Sequence, residues 1–492
     1  MTRAAGSEER DVQPWWSWRW LPFWAAFAAA LALRLVHLGL RPLHHDEGVN
    51  AWFLLDLLRG DGYVYNPESF HGPFLYFFGW LPLRLLGQSE VALRLPVALA
   101  SALMVPMLLP LRRRLGVAGI TGTAWLLALS PSLVYYGRDL IHETYLVAFT
   151  LALVVSVSLY LETRRDSHLA LAAACLGLLL TVKETAVLTL AGLLAAAALA
   201  RPPLALPSRR ALFRAALCLA APYVLLFTSF FTHPQGLADS FLGLLPWAQK
   251  GIEGTGHEKP WEYFLRLLLR FEPAVLVGAA FGGWIAVRRR DRFGVFCAAW
   301  TAAMLVLYSA IPYKTPWLAL SIVLPAALTA GVLFREAASR PTPGWARGGR
   351  IAVCVLALGW SAWRAADASL RRYDDPRLDL AYVQTQREAL DLVAFVHGVA
   401  ERSPKGKDLD LKVFMPHRWP LPWYFRDFAH AGYWREVPPD PDGDVLIFAS
   451  DQEGELRPLL RERYSRHPFP FRPGVSVVVY VNERVRESSS PL

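Results

Sequence analysis

Runs of apolar residues long enough to cross a bilayer recur at short intervals along this chain, and they restrict its fold more than any other feature. A helix of about 20 apolar residues spans the hydrocarbon core, and a helix satisfies its own backbone there. The runs lie near 21–40, 91–111, 117–136, 140–161, 168–183, 185–200, 211–231, 271–287, 293–311, 316–334 and 351–366. They predict a polytopic α-helical membrane protein with about eleven transmembrane helices. With 54% hydrophobic residues in 492, the chain is too apolar to divide into several soluble domains. The stretch 14–40 has no small-residue cleavage site and reads as a retained anchor. Cys175, Cys218, Cys297 and Cys354 all lie in apolar runs, so no disulfide framework is implied.

The net charge of +10 does not point to nucleic acid. Residues 370–492 hold 18 Lys+Arg against 19 Asp+Glu, so the surplus sits between the apolar runs. There it forms clusters: Arg112–Arg114, Arg164 and Arg165, Arg209, Arg210 and Arg214, 288–292, and 335–350. With the N-terminus inside, every cluster falls on the cytoplasmic side. The parity requires that 72–87, apolar but short and carrying Pro82 and Arg84, lies in the interface rather than crossing. The segment 47–59 is expected to lie there too. The expected layout is a cytoplasmic tail 1–18, a membrane domain 19–369 with external loops 41–90 and 232–262, an extracytoplasmic α/β domain 370–485, and a disordered tail 486–492. In the α/β domain a helix is expected over 386–402, strands over 411–415, 445–449 and 475–481, and a second helix over 453–464.

The same parity gathers the unusual polar residues at the outer surface: Asp46 and Glu47, 138–143, Lys183 and Glu184, 232–262, and Lys314. Any one of them reads as a solvated loop residue or a cap, Asp46 for example as the N-cap of the helix that follows. Together they predict a polar cavity at the ends of the spans. The residue types suit transfer of a sugar held on a membrane lipid through a phosphate. Asp46, with Glu47 beside it, is the candidate base for the acceptor's proton. Arg138, Lys183, Lys259 and Lys314 are candidate donors to phosphate oxygens. No metal or other cofactor is required for this chemistry. A divalent metal is not favoured, because His44, His45, Asp46, His142 and Glu143 match no ligand spacing. There is no G-x-S-x-G elbow and no nucleotide-binding glycine motif.

Several blocks in order carry a resemblance: HHDEGVNAW, FHGPFLYF, GRDLIHETY, GTGHEKPWEYF, PYKTPWLA and WPLPWYFRD. The chain resembles the protein O-mannosyltransferase and lipid A aminoarabinose-transferase group of GT-C fold. It is more similar still to the bacterial and archaeal flippase-activity-associated proteins of N-glycosylation. The resemblance implies that Asp46 is the catalytic acid of an Asp-Glu pair with Glu47, and that Glu143 is a second external acid, with Arg138 before it. Lys183, His257 and Lys314 match a lysine, a loop histidine and a second lysine of that group. Two positions depart from its pattern. A lysine usual before the proline of its Lys-Pro-Pro-like motif is replaced in His71-Gly72-Pro73, leaving His71 as the candidate phosphate ligand there. The loop histidine is followed by Glu258 and Lys259. His257, Trp261 and Trp423 are the candidates for lining the cavity or its acceptor side. The implied partners are a polyprenyl-phosphate-linked sugar, an acceptor glycan, lipid or protein, and the bilayer. The implied activity is inverting transfer on the extracytoplasmic face of the cytoplasmic membrane. The alternative is a non-catalytic flippase-associated component that handles lipid-linked glycans.

Overall fold

A computed structural model describes residues 17–69, 71–203, 206–252, 256–341 and 343–487. The expected tails at 1–18 and 486–492 fall largely outside these residues. Helix α1 (Leu21–Leu35) is followed by α2 (His45–Arg59), α3 (Phe74–Leu86), α4 (Glu90–Leu103) and α5 (Arg112–Leu129). Then come α6 (Pro131–Tyr136), α7 (His142–Thr163), α8 (Asp166–Leu180), α9 (Ala186–Ala200) and α10 (Arg209–Phe227). Two short helices, α11 (Gly236–Leu242) and α12 (Leu244–Ile252), lead to α13 (Tyr263–Phe271), α14 (Pro273–Arg289), α15 (Arg292–Ala310), α16 (Leu320–Ser339) and α17 (Gly344–Ala366). Each expected apolar run carries a helix. Among the described residues six helical stretches are long and apolar enough to cross a membrane, one of them running from Glu90 to Leu129 through a kink where Gly116 takes φ 66°.

The run expected as one helix over 117–136 is broken at Ser130-Pro131, and the break is capped from both sides. The Arg34 guanidinium donates to the Leu127 and Ala128 carbonyls, the last acceptors of α5, at 3.0 Å each. Glu272 accepts from the Ser130 hydroxyl at 2.6 Å and from the Ser132 N–H at 2.9 Å, at the start of α6. A cation at a helix C-terminus and a carboxylate at an N-terminus match the helix dipoles and satisfy orphan backbone groups. Hydropathy does not register these partners, because they come from α1 and from the residue before α14.

The basic clusters share one end of the bundle. Arg114 pairs with Glu162 at 2.6 Å. Arg335 reaches both the Arg114 carbonyl and Asp291, and Arg289 pairs with Glu336. At the opposite end lie the N-terminus of α2, the residues before α3, the first turn of α7 and the connections after α8 and α15.

The C-terminal part forms a five-stranded sheet of order β2-β1-β3-β5-β4. Its strands are β1 (Asp410–Phe414), β2 (His430–Trp434), β3 (Val445–Ala449), β4 (Tyr464–Arg472) and β5 (Val475–Asn482). Helix α18 (Ala389–Arg402) packs on one face, with Leu392 and Val396 against Leu411, Val413 and Val479. β1 is parallel to β2 and β3, and β5 is antiparallel to β3 and β4. The helix expected over 453–464 is a correction. Only Glu453–Leu456 is α-helical, and Tyr464 opens β4. Pro468 and Pro470 disguise that strand, yet at a sheet edge a proline leaves no required ladder bond unmade. β2 at the other edge was likewise not legible.

Residues before this domain belong to the helical core. Tyr373, Leu378, Leu380 and Ala381 are buried among the helices, and the Tyr135 and Tyr136 hydroxyls donate to the Tyr373 and Leu380 carbonyls. The sheet domain docks over α2. The Leu43 N–H donates to the Tyr424 hydroxyl, and the Trp423 indole donates to Glu90 at 3.0 Å. A Cβ on Gly48 would stand 2.7 Å from Pro420, so only glycine permits this approach.

Candidate functional site

Helix α2 starts with a capping box, and its N-cap is His44 rather than Asp46. His44 Nδ1 accepts from the Asp46 N–H at 3.1 Å, and Glu47 accepts from the His44 N–H at 2.9 Å. Glu47 is fully buried. It takes two 2.7 Å bonds from the Arg94 guanidinium and a 2.9 Å bond from the Leu140 N–H. Burial alone would raise its pKa, but Arg94 outweighs burial and brings it to about 2. Glu47 therefore faces away from the cavity and is committed to four donors. Its structural work is to clamp α2 to the residues before α7. Asn50 adds to this clamp, donating to the Leu140 carbonyl at 2.9 Å and accepting from the Tyr76 hydroxyl.

With the cap supplied by His44, the Asp46 carboxylate is released. It faces a cavity of about 530 Å³ whose lining includes His45, Asp46, His71, Glu143, Lys183 and Tyr313, with apolar walls from α9, α12 and α15. Glu143 and Lys183 form an ion pair in the cavity wall. His71 Nδ1 lies 3.1 Å from Glu184. No side chain among the described residues hydrogen-bonds the Asp46 carboxylate. Burial would raise its pKa, but His44, His45, His71 and Lys183 together hold it below the ordinary 3.8. Burial pushes both His44 and His45 down, the latter to about 4, so these rings are uncharged at neutral pH. Lys183, paired with Glu143, and Arg472, beside His45, are the standing positive charges near Asp46.

The structure thus brings together Asp46, His71, Glu143 and Lys183, and places the other candidates elsewhere. Arg138 is 1% exposed and donates to the carbonyls of Leu33, Arg34, Val36 and His37, closing the C-terminus of α1. Lys314 donates to the Ile311 carbonyl at 2.5 Å and the Lys259 carbonyl at 3.1 Å. Lys259 sits 4.5 Å from the centre of the Tyr382 ring, and His257 Nδ1 is 2.7 Å from the Tyr382 hydroxyl. Neither these four nor Trp261 and Trp423 line the cavity. Trp261 is 71% exposed, while Trp423 is buried between α2, α4 and the sheet domain. Three site residues were missed. His142 lines the cavity with its Nε2 unpartnered among the described residues. His45 was visible in the His-His-Asp-Glu cluster. Arg472, next to His45, had no local signal. Among the described residues no group of three or more His, Cys, Asp or Glu is arranged to hold a metal.

Residues 70–232, about a third of the chain, match the family of dolichyl-phosphate-mannose-protein mannosyltransferases. Among solved structures the chain is similar to ArnT from Cupriavidus metallidurans bound to undecaprenyl phosphate. The identity is 17% and the TM-score 0.65, over 96% of this chain and 99% of that one. The apo state of the same ArnT matches at 18% identity, with the same TM-score and coverage. No curated protein matches in sequence. The fold is therefore the ArnT-like GT-C fold, a multi-pass helical membrane part with a small C-terminal sheet domain.

Proposed function

We propose that this protein is a membrane glycosyltransferase that moves a sugar from a polyprenyl-phosphate donor to an acceptor. The observation that carries the reading is the Asp46 carboxylate, which has no hydrogen-bond partner among the described residues and faces a cavity that Lys183 also lines. The likeness to an ArnT bound to undecaprenyl phosphate supports the class of lipid. In the reaction the acceptor oxygen bonds to the anomeric carbon and the bond from that carbon to the phosphate oxygen breaks. The acceptor's proton passes to Asp46, and the phosphate leaves on its lipid beside Lys183 and His71. Attack opposite the leaving group gives inversion. The basic clusters at the far end of the bundle favour an N-terminus inside, which puts the cavity on the extracytoplasmic side. The eleven helical runs are read as spans on the same basis. This reading calls for no metal, since Lys183 supplies the positive charge that faces the phosphate.

The test is release of undecaprenyl phosphate from a labelled undecaprenyl-phosphate sugar by purified protein in nanodiscs. Asp46→Asn keeps the shape and should lower turnover by about 10²-fold or more. Near wild-type turnover in that variant would remove the base from Asp46.

A second reading, a non-catalytic component that binds lipid-linked glycans, is favoured by Gly72. The Gly72 N–H donates to the Val182 carbonyl at 3.1 Å, and a Cβ on Gly72 would stand 2.1 Å from the Thr181 carbonyl oxygen. The lysine usual in the resembling group has no room here. The same assay separates the readings: binding of undecaprenyl phosphate without turnover of any donor supports the second.

A further inference from the structure

His45 and Arg472 take no part in the reaction as written, yet they meet at the edge of the cavity. His45 is part of the cavity lining. Arg472 comes from β4, is 4% exposed, and donates from one Nη to the Trp419 carbonyl. Its other Nη lies 3.4 Å from His45 Nδ1. A guanidinium carries donors only, so Nδ1 must accept, and a neutral ring that accepts at Nδ1 holds its proton at Nε2. An imidazolium would turn an N–H toward the Arg472 charge. Burial first, and then Arg472, His44 and His417, hold the ring neutral against the pull of Asp46. His45 Nε2 makes no hydrogen bond among the described residues.

We propose that Arg472 is a positioning residue of the C-terminal domain that fixes His45 as an Nε2–H donor, and that this donor orients the acceptor oxygen beside Asp46. The assignment rests on the reading of Asp46 as the base of a glycosyl transfer. In an inverting displacement the base and the leaving phosphate stand on opposite faces of the sugar. His45 and Asp46 both line the cavity, and Lys183 is among the charges that act on Asp46 but not among those that act on His45, so His45 is assigned to the acceptor's side. The sheet domain then completes the site as well as covering it.

The tautomer is read by ¹⁵N spectra of the full-length protein labelled with ¹⁵N-histidine in nanodiscs, His45 being assigned by its loss in His45→Gln. Wild type should show a ring unprotonated at Nδ1 and protonated at Nε2 between about pH 6 and pH 8. Arg472→Met should give a mixture of tautomers, and Arg472→Lys, which still donates, should restore the single form. A wild-type ring protonated at Nδ1, or one unmoved in Arg472→Met, overturns the proposal, and if Arg472→Met does not fold, the wild-type and Arg472→Lys spectra decide. Undecaprenyl phosphate binding settles the side. His45→Leu should leave its affinity within about twofold of wild type. A loss of about tenfold or more, worth about 1.4 kcal/mol, would put His45 on the donor phosphate instead. Absence of binding by wild type itself would fall on the function reading, not on the tautomer.

Discussion

Neighbouring residues in one short motif have opposite fates here, because the helix turns them apart. Asp46 and Glu47 are adjacent in sequence and equal in chemistry, yet Glu47 is enclosed by Arg94, Leu140 and His44 while Asp46 opens to the cavity. Removing one partner of a buried, hydrogen-bonded ion pair leaves the other charge uncompensated. Glu47→Gln should therefore destabilise the protein by about 3–5 kcal/mol, read as a lower melting temperature in detergent at constant lipid. The pH dependence has a definite sign. The carboxyl titrates at about 2 folded against an ordinary 4.5, so its stabilisation is complete above the ordinary value and is lost as pH falls from there toward 2. In Glu47→Gln that part of the acid sensitivity should vanish. Arg138 follows the same logic. Arg138→Gln should lower the melting temperature through the exposed end of α1, with undecaprenyl phosphate affinity unchanged. A selective loss of lipid affinity would return Arg138 to the phosphate site.

At the scale of elements, the local pattern marks where helices run, and distant partners decide where they stop. Helix α3 has 13 residues. At 1.5 Å per residue it reaches about 20 Å, short of a bilayer's hydrocarbon core of about 30 Å. Cysteines introduced at Ser69 and Ser89 should both label from outside the cell. Labelling of one alone would mean that this segment crosses and that the later helices invert. The connection before α3 is fixed by contact with the connection after α8, through the close approach at Gly72. Gly72→Ala should lower the melting temperature and weaken undecaprenyl phosphate binding together, because Lys183 and His71 are held by those two connections. Loss of neither would mean that the backbones can separate without cost.

For the whole molecule, the main question is what the sheet domain contributes. Residues 373–384 run through the helical core and reach the connection before α2, where Gln384 donates to the Pro42 carbonyl at 3.0 Å. Truncation after Thr385 should leave a folded helical part that still binds undecaprenyl phosphate but no longer transfers sugar. Truncation after Leu370 should fail to fold, since it also removes buried Tyr373, Leu378 and Leu380. Full transfer by the Thr385 truncation would show that the domain has no part in the site.

The sequence by itself determined the helical membrane class, the order of the apolar runs, the near-neutral charge of the C-terminal part and the place of the His-His-Asp-Glu cluster just after the first run. These follow from local composition and from charge counted between runs, which need no knowledge of contacts. Only the tertiary structure decided that His44 is the cap, that Glu47 is a clamp, and that Arg138, Lys259 and Lys314 are held away from the cavity. Only it brought Arg472 to His45 across 427 positions of chain. The physical reason is the same in each case. A charged side chain near a membrane must find hydrogen-bonding partners, and those partners are chosen by packing between segments that the sequence does not place side by side.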